Sequence, residues 1–366
     1  MQGLPIGYYE TPLTVGAENT YMCVWLPLKA PPTKKQDVYR VRMSVAKKIS
    51  MITSGRLLLP CLPSTEAALP TCSPGLGTAT SDHVVETLRG IVVVAHGLGD
   101  GPLVIAQVAE QLASAGFICA SPSFCDAAAS VAASAVTPPD ALALSKIHEI
   151  RLQTMDACAA AVRSEFGTDL PLALVGYSLG ADTIRHMACS CPRVYVAGPG
   201  FLDKMLSVSG DKSTCTERPA SAPPPGPSMQ VLASNDTAMT LIKLTLDETS
   251  EYTGYSVSTG RQVLAPEQLD DHAILKATHL RVDMPGFNHS YFKFAQFARM
   301  ENWAWRRALC GLNPFDPCSN PPEPEVQEDR SRRGAEPIVR WLLATMPATS
   351  CQIDARAVHS KDTHLT

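Results

Sequence analysis

A serine bracketed by glycines, Gly176-Tyr177-Ser178-Leu179-Gly180, stands where an apolar run gives way to a helical pattern. Leu172–Val175 reads as a strand buried on both faces, and Leu179–Cys189 as the helix that follows. A sharp turn between them would lift the Ser178 hydroxyl out at the strand's C-terminal edge, and glycines would flank it because side chains there collide with neighbouring backbone. The helix N-terminus behind the serine offers partial positive charge to an anion. Ser178 is therefore a candidate nucleophile. Upstream, His96-Gly97-Leu98-Gly99 ends a second β-branched run, Ile91–Ala95. A turn there brings a backbone N–H toward the serine, so the amides of Leu98 and Leu179 are the expected donors to a carbonyl oxygen gaining charge. His96 is expected to brace that turn rather than to move protons.

A serine nucleophile needs a base, and the base needs an orienting acid. In the order serine, acid, histidine, the base belongs in a loop after the last strand. Leu280–Met284 followed by Pro285-Gly286 and His289 fits. His279 lies at the wrong end of that strand, and His272 lies in an acidic loop. The acid is expected at Asp236, just past the apolar strand Gln230–Ala233; Asp203, after Val194–Ala197, is the alternative, with Asp270 and Asp271 behind it. Tyr177, Phe287 and Tyr291 flank these residues and would line a substrate pocket or pack in the core. The segment 121–145, rich in small apolar residues, leaves a strand's C-terminal edge and would serve as a lid, part of an acyl pocket, or a plain loop.

The elements that must position these groups alternate. Helical spacing follows Ile91–Ala95 over Pro102–Ala115, then come a strand at Phe117–Ala120 and a longer helix near 141–165. Strand and helix in alternation mean an α/β architecture, a mostly parallel sheet covered on both faces. Before it, residues 1–63 read as β-rich, with runs at Tyr21–Leu26, Val38–Ser44 and Arg56–Leu59 that suggest antiparallel hairpins. Residues 64–88 read as loop. Helical patterns at Phe292–Leu309 and Pro337–Met346 follow. The expected organisation is an N-terminal extension over 1–35 and a catalytic domain over 36–312 with insertions near 121–145 and 212–228. A proline-rich acidic excursion over 313–334 and a C-terminal helix and tail over 335–366 complete it.

The chain has 366 residues, 45% of them hydrophobic and 18% charged, which suits a large core and excludes a disordered chain. A net charge of −4 argues against nucleic acid or an anionic membrane as partner. No apolar run reaches the roughly 18 residues of a membrane span. The N-terminus lacks a basic region followed by an apolar one, so no signal peptide is expected. The 12 cysteines read as mostly reduced thiols of a cytoplasmic protein. Cys189-Ser190-Cys191 lacks the spacing of a zinc site, and no metal is expected. Asn235-Asp236-Thr237 and Asn288-His289-Ser290 match the glycosylation pattern, but a glycan at either would crowd the site mouth, which also favours an intracellular enzyme.

The order of HGLG turn, GYSLG elbow, strand with Asp236 and strand with His289 resembles the α/β-hydrolase fold over about residues 36–310. HGLG, then LASAGFICASPS, then the elbow and the late Gly286-Phe287-Asn288-His289 are similar to the dienelactone hydrolase, chlorophyllase and platelet-activating-factor acetylhydrolase branch. The resemblance implies cofactor-free hydrolysis of small-molecule or lipid carboxylic esters or lactones. Ser178 stands where dienelactone hydrolases carry cysteine. The acetylhydrolases take their acid after the earlier strand, where this chain has Gly198-Pro199. Alternatives on the same fold are a ligand-binding protein with little turnover, an acyltransferase or a thioesterase.

Overall fold

The computed structural model describes residues 3–32, 38–42, 66–70, 77–78, 83–97, 100–124, 126, 141–198, 226–233, 262–264, 279–284, 287 and 324–346. The chain opens on an antiparallel hairpin of β1 (Ile6–Val15) and β2 (Glu18–Pro27), turned at Gly16 with φ +58, a conformation cheapest for glycine. β3 (Val38–Arg42) pairs antiparallel with β4 (Glu66–Pro70) as a separate two-stranded sheet, and β5 (Gly77–Thr78) lies against β1. β4 and β5 fall in the stretch expected to be loop. Glu66-Ala-Ala-Leu-Pro has no β-branched residue, so its strand form comes from pairing rather than from propensity.

The alternating part then follows. β6 (Gly90–Ala95) leads through a tight helical turn at Pro102–Ile105 into α1 (Ala106–Ser114) and β7 (Phe117–Pro122). Next come α2 (Ala141–Phe166), β8 (Leu172–Tyr177), α3 (Leu179–His186) and β9 (Arg193–Val196). β10 (Ser228–Ala233), β11 (Gln262–Leu264), β12 (His279–Met284) and α4 (Pro324–Thr345) complete the described chain.

Ten strands form one sheet in the order β11-β12-β10-β9-β8-β6-β7-β2-β1-β5. From β7 to β11 every neighbouring pair is parallel. β2 runs antiparallel to both β7 and β1, so it is the reversed strand of an otherwise codirectional run from β1 to β12. The hairpin expected as an extension over 1–35 is thus part of the main sheet. Its membership was hidden because β1, YYETPLT at its centre, alternates only partly.

Strand alternation divides the core in two. Val92, Val94, Val175 and Val196 face the side covered by α1 and α4, with Leu112, Ile338, Trp341 and Leu342. Ile91, Val93, Leu174 and Tyr195 face the side covered by α2 and α3, with Met155, Cys158, Val162 and Ile184. Every residue of β6, β7 and β8 is buried, which explains their unbroken apolar runs.

Two helix boundaries differ from expectation. α3 stops at His186, and Met187 is extended (φ −64°, ψ 138°), so Cys189 lies in the following loop instead of the helix. α4 starts at Pro324, inside the stretch expected as an excursion, and carries Pro337 internally. Ser331, Ala335, Ile338, Trp341 and Leu342 are buried at helical spacing, whereas Asp329, Arg332, Arg333 and Glu336 are exposed. The charges that suggested a loop form the solvent face of an amphipathic helix. Arg56–Leu59 and Phe292–Leu309 lie outside the described residues.

Candidate active site

Ser178 sits between β8 and α3 with φ 54° and ψ −123°, a left-handed backbone that non-glycine residues rarely adopt. Its conformation is held on both sides. The Ser178 N–H donates to the Val196 carbonyl at 2.9 Å, and the Ala181 N–H donates to the Ser178 carbonyl at 2.8 Å. The two flanking glycines are sterically required. A Cβ on Gly176 would lie 2.3 Å from the Gly180 carbonyl oxygen, and one on Gly180 would lie 2.1 Å from the Ala95 carbonyl oxygen. The second contact shows how closely the start of α3 packs on the end of β6. Leu179 is the first residue of α3, so its N–H belongs to the helix-start amides without an intrahelical acceptor.

β6 and β8 are adjacent and parallel, with Ala95 opposite Gly176, so the His96-Gly97 turn and Ser178 leave the sheet side by side. A Cβ on Gly97 would lie 3.2 Å from the Ser178 Cβ, which makes this glycine the near wall of the serine. His96 is buried; its Nδ1 donates to the Gly97 carbonyl at 3.0 Å, which puts the proton on Nδ1, and its ring rests 4.6 Å from that of Phe124.

The residue that sequence reasoning missed is Arg151, on α2. It is fully buried, and both terminal nitrogens of its guanidinium serve this one turn. One terminal nitrogen donates to the His96 carbonyl and the other to the Gly97 carbonyl, each at 2.8 Å. Nε donates to Asp126 Oδ2 at 2.6 Å in a buried ion pair, and the guanidinium carbon lies 4.3 Å from the centre of the Phe124 ring. Planar, forked donors suit such a two-carbonyl clamp in a way a lysine would not. The available signal was a lone arginine at a core position of α2, in register with Ile147, Met155 and Cys158.

The other expected site residues divide into two groups. Tyr177 and Phe287 are buried in the core on the α1 and α4 side. Leu98, Asp236, His289 and Tyr291 lie outside the described residues, as do Asp203, Asp270, Asp271 and His272. The strands that lead to the expected acid and base are described. β10 and β12 are adjacent and parallel with Ala233 opposite Met284, and Val231 lies opposite Val196, itself opposite Tyr177. Both strands therefore end at the edge where Ser178 emerges. His279 begins β12 at the opposite edge, where its Nδ1 pairs with Ser228 Oγ at 2.9 Å. That serine–histidine pair is separated from Ser178 by the length of the sheet. Among the described residues no cluster of His, Cys, Asp and Glu has the makings of a metal site.

A parallel sheet with one reversed strand near its start, flanked by helices, and a strained serine between a central strand and its helix define the α/β-hydrolase fold. No family model matches the chain, and no curated protein does. Among solved structures, the chain is similar to a ferulic acid esterase from Streptomyces cinnamoneus at 13% identity, over 93% of this chain and 89% of that one, with TM-score 0.47. It is also similar to an α/β serine hydrolase without lid from Xanthomonas campestris, at 14% identity over 82% and 95% of the two chains, TM-score 0.37. A dienelactone hydrolase from Anabaena variabilis aligns at 12% identity over 79% and 89%, TM-score 0.28. The fold assignment rests on strand order and the elbow, not on these likenesses.

Proposed function

We propose that this chain is a serine hydrolase that cleaves carboxylic esters through an acyl-serine intermediate. The observation that carries the reading is the backbone of Ser178 at φ 54° between glycines that tolerate no Cβ. Holding a serine there costs about 1–3 kcal/mol, and proteins keep such strain mainly where it serves a site. In this reading His289 takes the Ser178 proton as the hydroxyl oxygen attacks the ester carbonyl. The tetrahedral oxyanion sits against the Leu98 and Leu179 amides. Collapse expels the alcohol, protonated by His289, and leaves the acyl-enzyme. Water activated by His289 then releases the acid, while Asp236 keeps the imidazole in the productive tautomer and stabilises its cation.

Arg151 acts in this scheme as a positioning residue. A peptide unit is planar and trans, so a carbonyl held in place fixes the direction of the amide that follows it. Arg151 and His96 both donate to the Gly97 carbonyl, occupying its two lone pairs, and the next amide in the chain is the proposed donor of Leu98. Pre-set donors of this kind are worth most when no reorganisation is needed at the moment of reaction.

A fluorophosphonate probe together with p-nitrophenyl esters of increasing acyl length tests the assignment. Labelling at Ser178 with ester turnover supports it. Labelling without turnover moves the chain to the ligand-binding alternative, and neither labelling nor turnover overturns the reading. The acyl-length series also reports the substrate class. We place the enzyme in a reducing compartment, a reading supported by the free state of all five described cysteines.

A further inference from the structure

At the opposite edge of the sheet from Ser178, where α3 gives way to β9, two thiols and a buried cation meet. Cys189 and Cys191 are free and half-buried, two residues apart on one short loop. Arg193 is fully buried. Its guanidinium donates to the carbonyls of Arg185 at 3.1 Å and Met187 at 2.8 Å. It also donates to the Cys189 carbonyl and approaches the Cys189 Sγ at 3.5 Å. Among the described residues no carboxylate pairs with it. A buried guanidinium offered only neutral acceptors is costly, and the ionisable groups beside this one are the Tyr195 phenol and the Cys189 thiol.

The loop that carries the pair is anchored on both sides. The Leu174 N–H donates to the Pro192 carbonyl at 3.0 Å, and the Arg193 N–H to the Pro227 carbonyl at 3.1 Å. Gly226, at φ +92, lies so close that a Cβ on it would come within 2.3 Å of the Ser190 carbonyl oxygen. The thiols are thus held together in a fixed loop with partial access to solvent. Cys23, Cys119 and Cys158 are instead sealed in the cores, where burial pushes the Cys119 and Cys158 thiols up.

We propose that Cys189 and Cys191 form a hydroperoxide-reactive dithiol site, with Cys189 the attacking sulfur and Cys191 the resolving one. The Cys189 thiolate attacks one oxygen of the hydroperoxide. The O–O bond breaks, Cys189 becomes a sulfenic acid, and the departing hydroxide or alkoxide takes a proton from solvent. The Cys191 sulfur then attacks the Cys189 sulfur. An S–S bond forms, the S–O bond breaks, and the Cys191 proton leaves with the hydroxide as water. Two thiols lose two electrons, and one hydroperoxide is reduced by two. The electrostatics suit these roles. The hydrogen bond from Cys191, followed by the Arg193 guanidinium, holds the Cys189 thiol down to about 5. The same hydrogen bond, with burial, holds the Cys191 thiol above its ordinary range, so it keeps its proton until its turn. Among the described residues, Cys191 and Arg193 face Cys189, and Tyr195 faces the same guanidinium. The site does not rest on the esterase reading.

The test uses the reduced full chain with near-stoichiometric hydrogen peroxide at pH 6 and pH 8, then alkylation and tryptic digestion. The peptide His186–Arg193 contains both cysteines. Loss of two hydrogens within that peptide is expected, at rates that differ less than about twofold between the two pH values. An ordinary thiol would speed up about 50-fold or more over that interval, following its thiolate fraction. Cys191→Ser should stop at a sulfenic acid on Cys189, captured by a 1,3-dione, and Cys189→Ser should give neither product. A rate that climbs with pH like an ordinary thiol, a sulfenic acid on Cys191 in Cys189→Ser, or oxidation of other cysteines while this peptide stays reduced would overturn the proposal.

Discussion

Two fully buried arginines stand at opposite edges of the sheet, and they are neutralised differently. Arg151 faces the turn beside Ser178 and has a buried carboxylate, Asp126, at 2.6 Å. Arg193 faces the end of α3 and has backbone carbonyls and the Cys189 sulfur. Both cations fasten carbonyl groups where a chain turn must hold its shape. The Arg151 clamp is closed by a carboxylate. A thiolate can be discharged by a proton or an oxidant, so the Arg193 clamp is conditional. Under the proposed function, the carboxylate-paired clamp lies at the edge that needs fixed donors, and the thiol-paired clamp at the far edge. Variants at the first edge should cost turnover, and variants at the second should leave it near wild type.

The largest expected effect lies at the first edge. Ser178→Ala should lower ester turnover on the order of 10⁶-fold, the scale of losing a serine-protease nucleophile, with the melting temperature little changed. Turnover near wild type with native-like melting would remove Ser178 from the chemistry. Asp236→Asn should cost about 10⁴-fold, because an amide favours the wrong imidazole tautomer, whereas Asp203→Asn should cost far less. The reverse ranking in a steady-state assay would move the acid to the earlier strand.

Arg151→Met sharpens the comparison directly. It strands Asp126 as a buried carboxylate without its cation, so urea unfolding should show a loss of about 3–5 kcal/mol. If the folded variant is assayed, kcat should fall up to about 10²-fold, the scale of a misplaced oxyanion donor, with KM moving much less. Arg193→Met at the far edge should cost about 1–3 kcal/mol for carbonyls left without a donor, because the thiolate can take up a proton at neutral pH. It should leave kcat near wild type. Equal effects of the two substitutions on kcat would abolish the distinction between the edges.

The sequence made the serine edge legible because steric demands there are local. Gly176 and Gly180 flank Ser178 for contacts the turn itself creates, so a pentapeptide between a strand and a helix carries the information. The alternation from Ile91 to Met284 was legible for the same reason, since strands buried on both faces are written as unbroken apolar runs. Arg151 was not legible, because its acceptors, His96 and Gly97, lie far away in the chain and only the packing of α2 brings them together. β4 was hidden because pairing with β3, not its own residues, makes it a strand. α4 was read too short because Pro337 and the charges before it suggested a loop, and only the buried stripe from Ser331 to Leu342 reveals the helix.

Cys189→Ser tests whether the far clamp is conditional. The Cys189 thiol is held down to about 5 in the folded protein, against an ordinary value near 8.5 when unfolded. A lowered folded value adds stability that is fully present above the unfolded value and is lost as pH falls through the folded one. The stability difference between wild type and Cys189→Ser should therefore widen as pH rises from 5 to about 8.5. Above that, Cys189 is ionised in the unfolded chain as well, so the gain ceases. Thermal melts at several pH values check this, and a difference independent of pH would mean that Cys189 carries no charge in the fold.

The smallest expected effect concerns the second serine–histidine pair. Ser228 Oγ lies 2.9 Å from His279 Nδ1, a separation that in isolation resembles a nucleophile and its base. Its position argues otherwise. Ser228 and His279 are opposite one another at the first residues of two parallel strands, whereas Ser178 follows the last residue of β8. Ser228 is also buried, and its backbone has the ordinary extended form of a strand, so it lacks the exposure a nucleophile elbow creates. A hydrogen bond of this kind contributes about 0.5–1.5 kcal/mol to stability. Ser228→Ala should therefore lower the melting temperature slightly and leave kcat, KM and fluorophosphonate labelling unchanged. Loss of labelling in Ser228→Ala but not in Ser178→Ala would transfer the nucleophile to the other edge of the sheet and invert the comparison from which these expectations come.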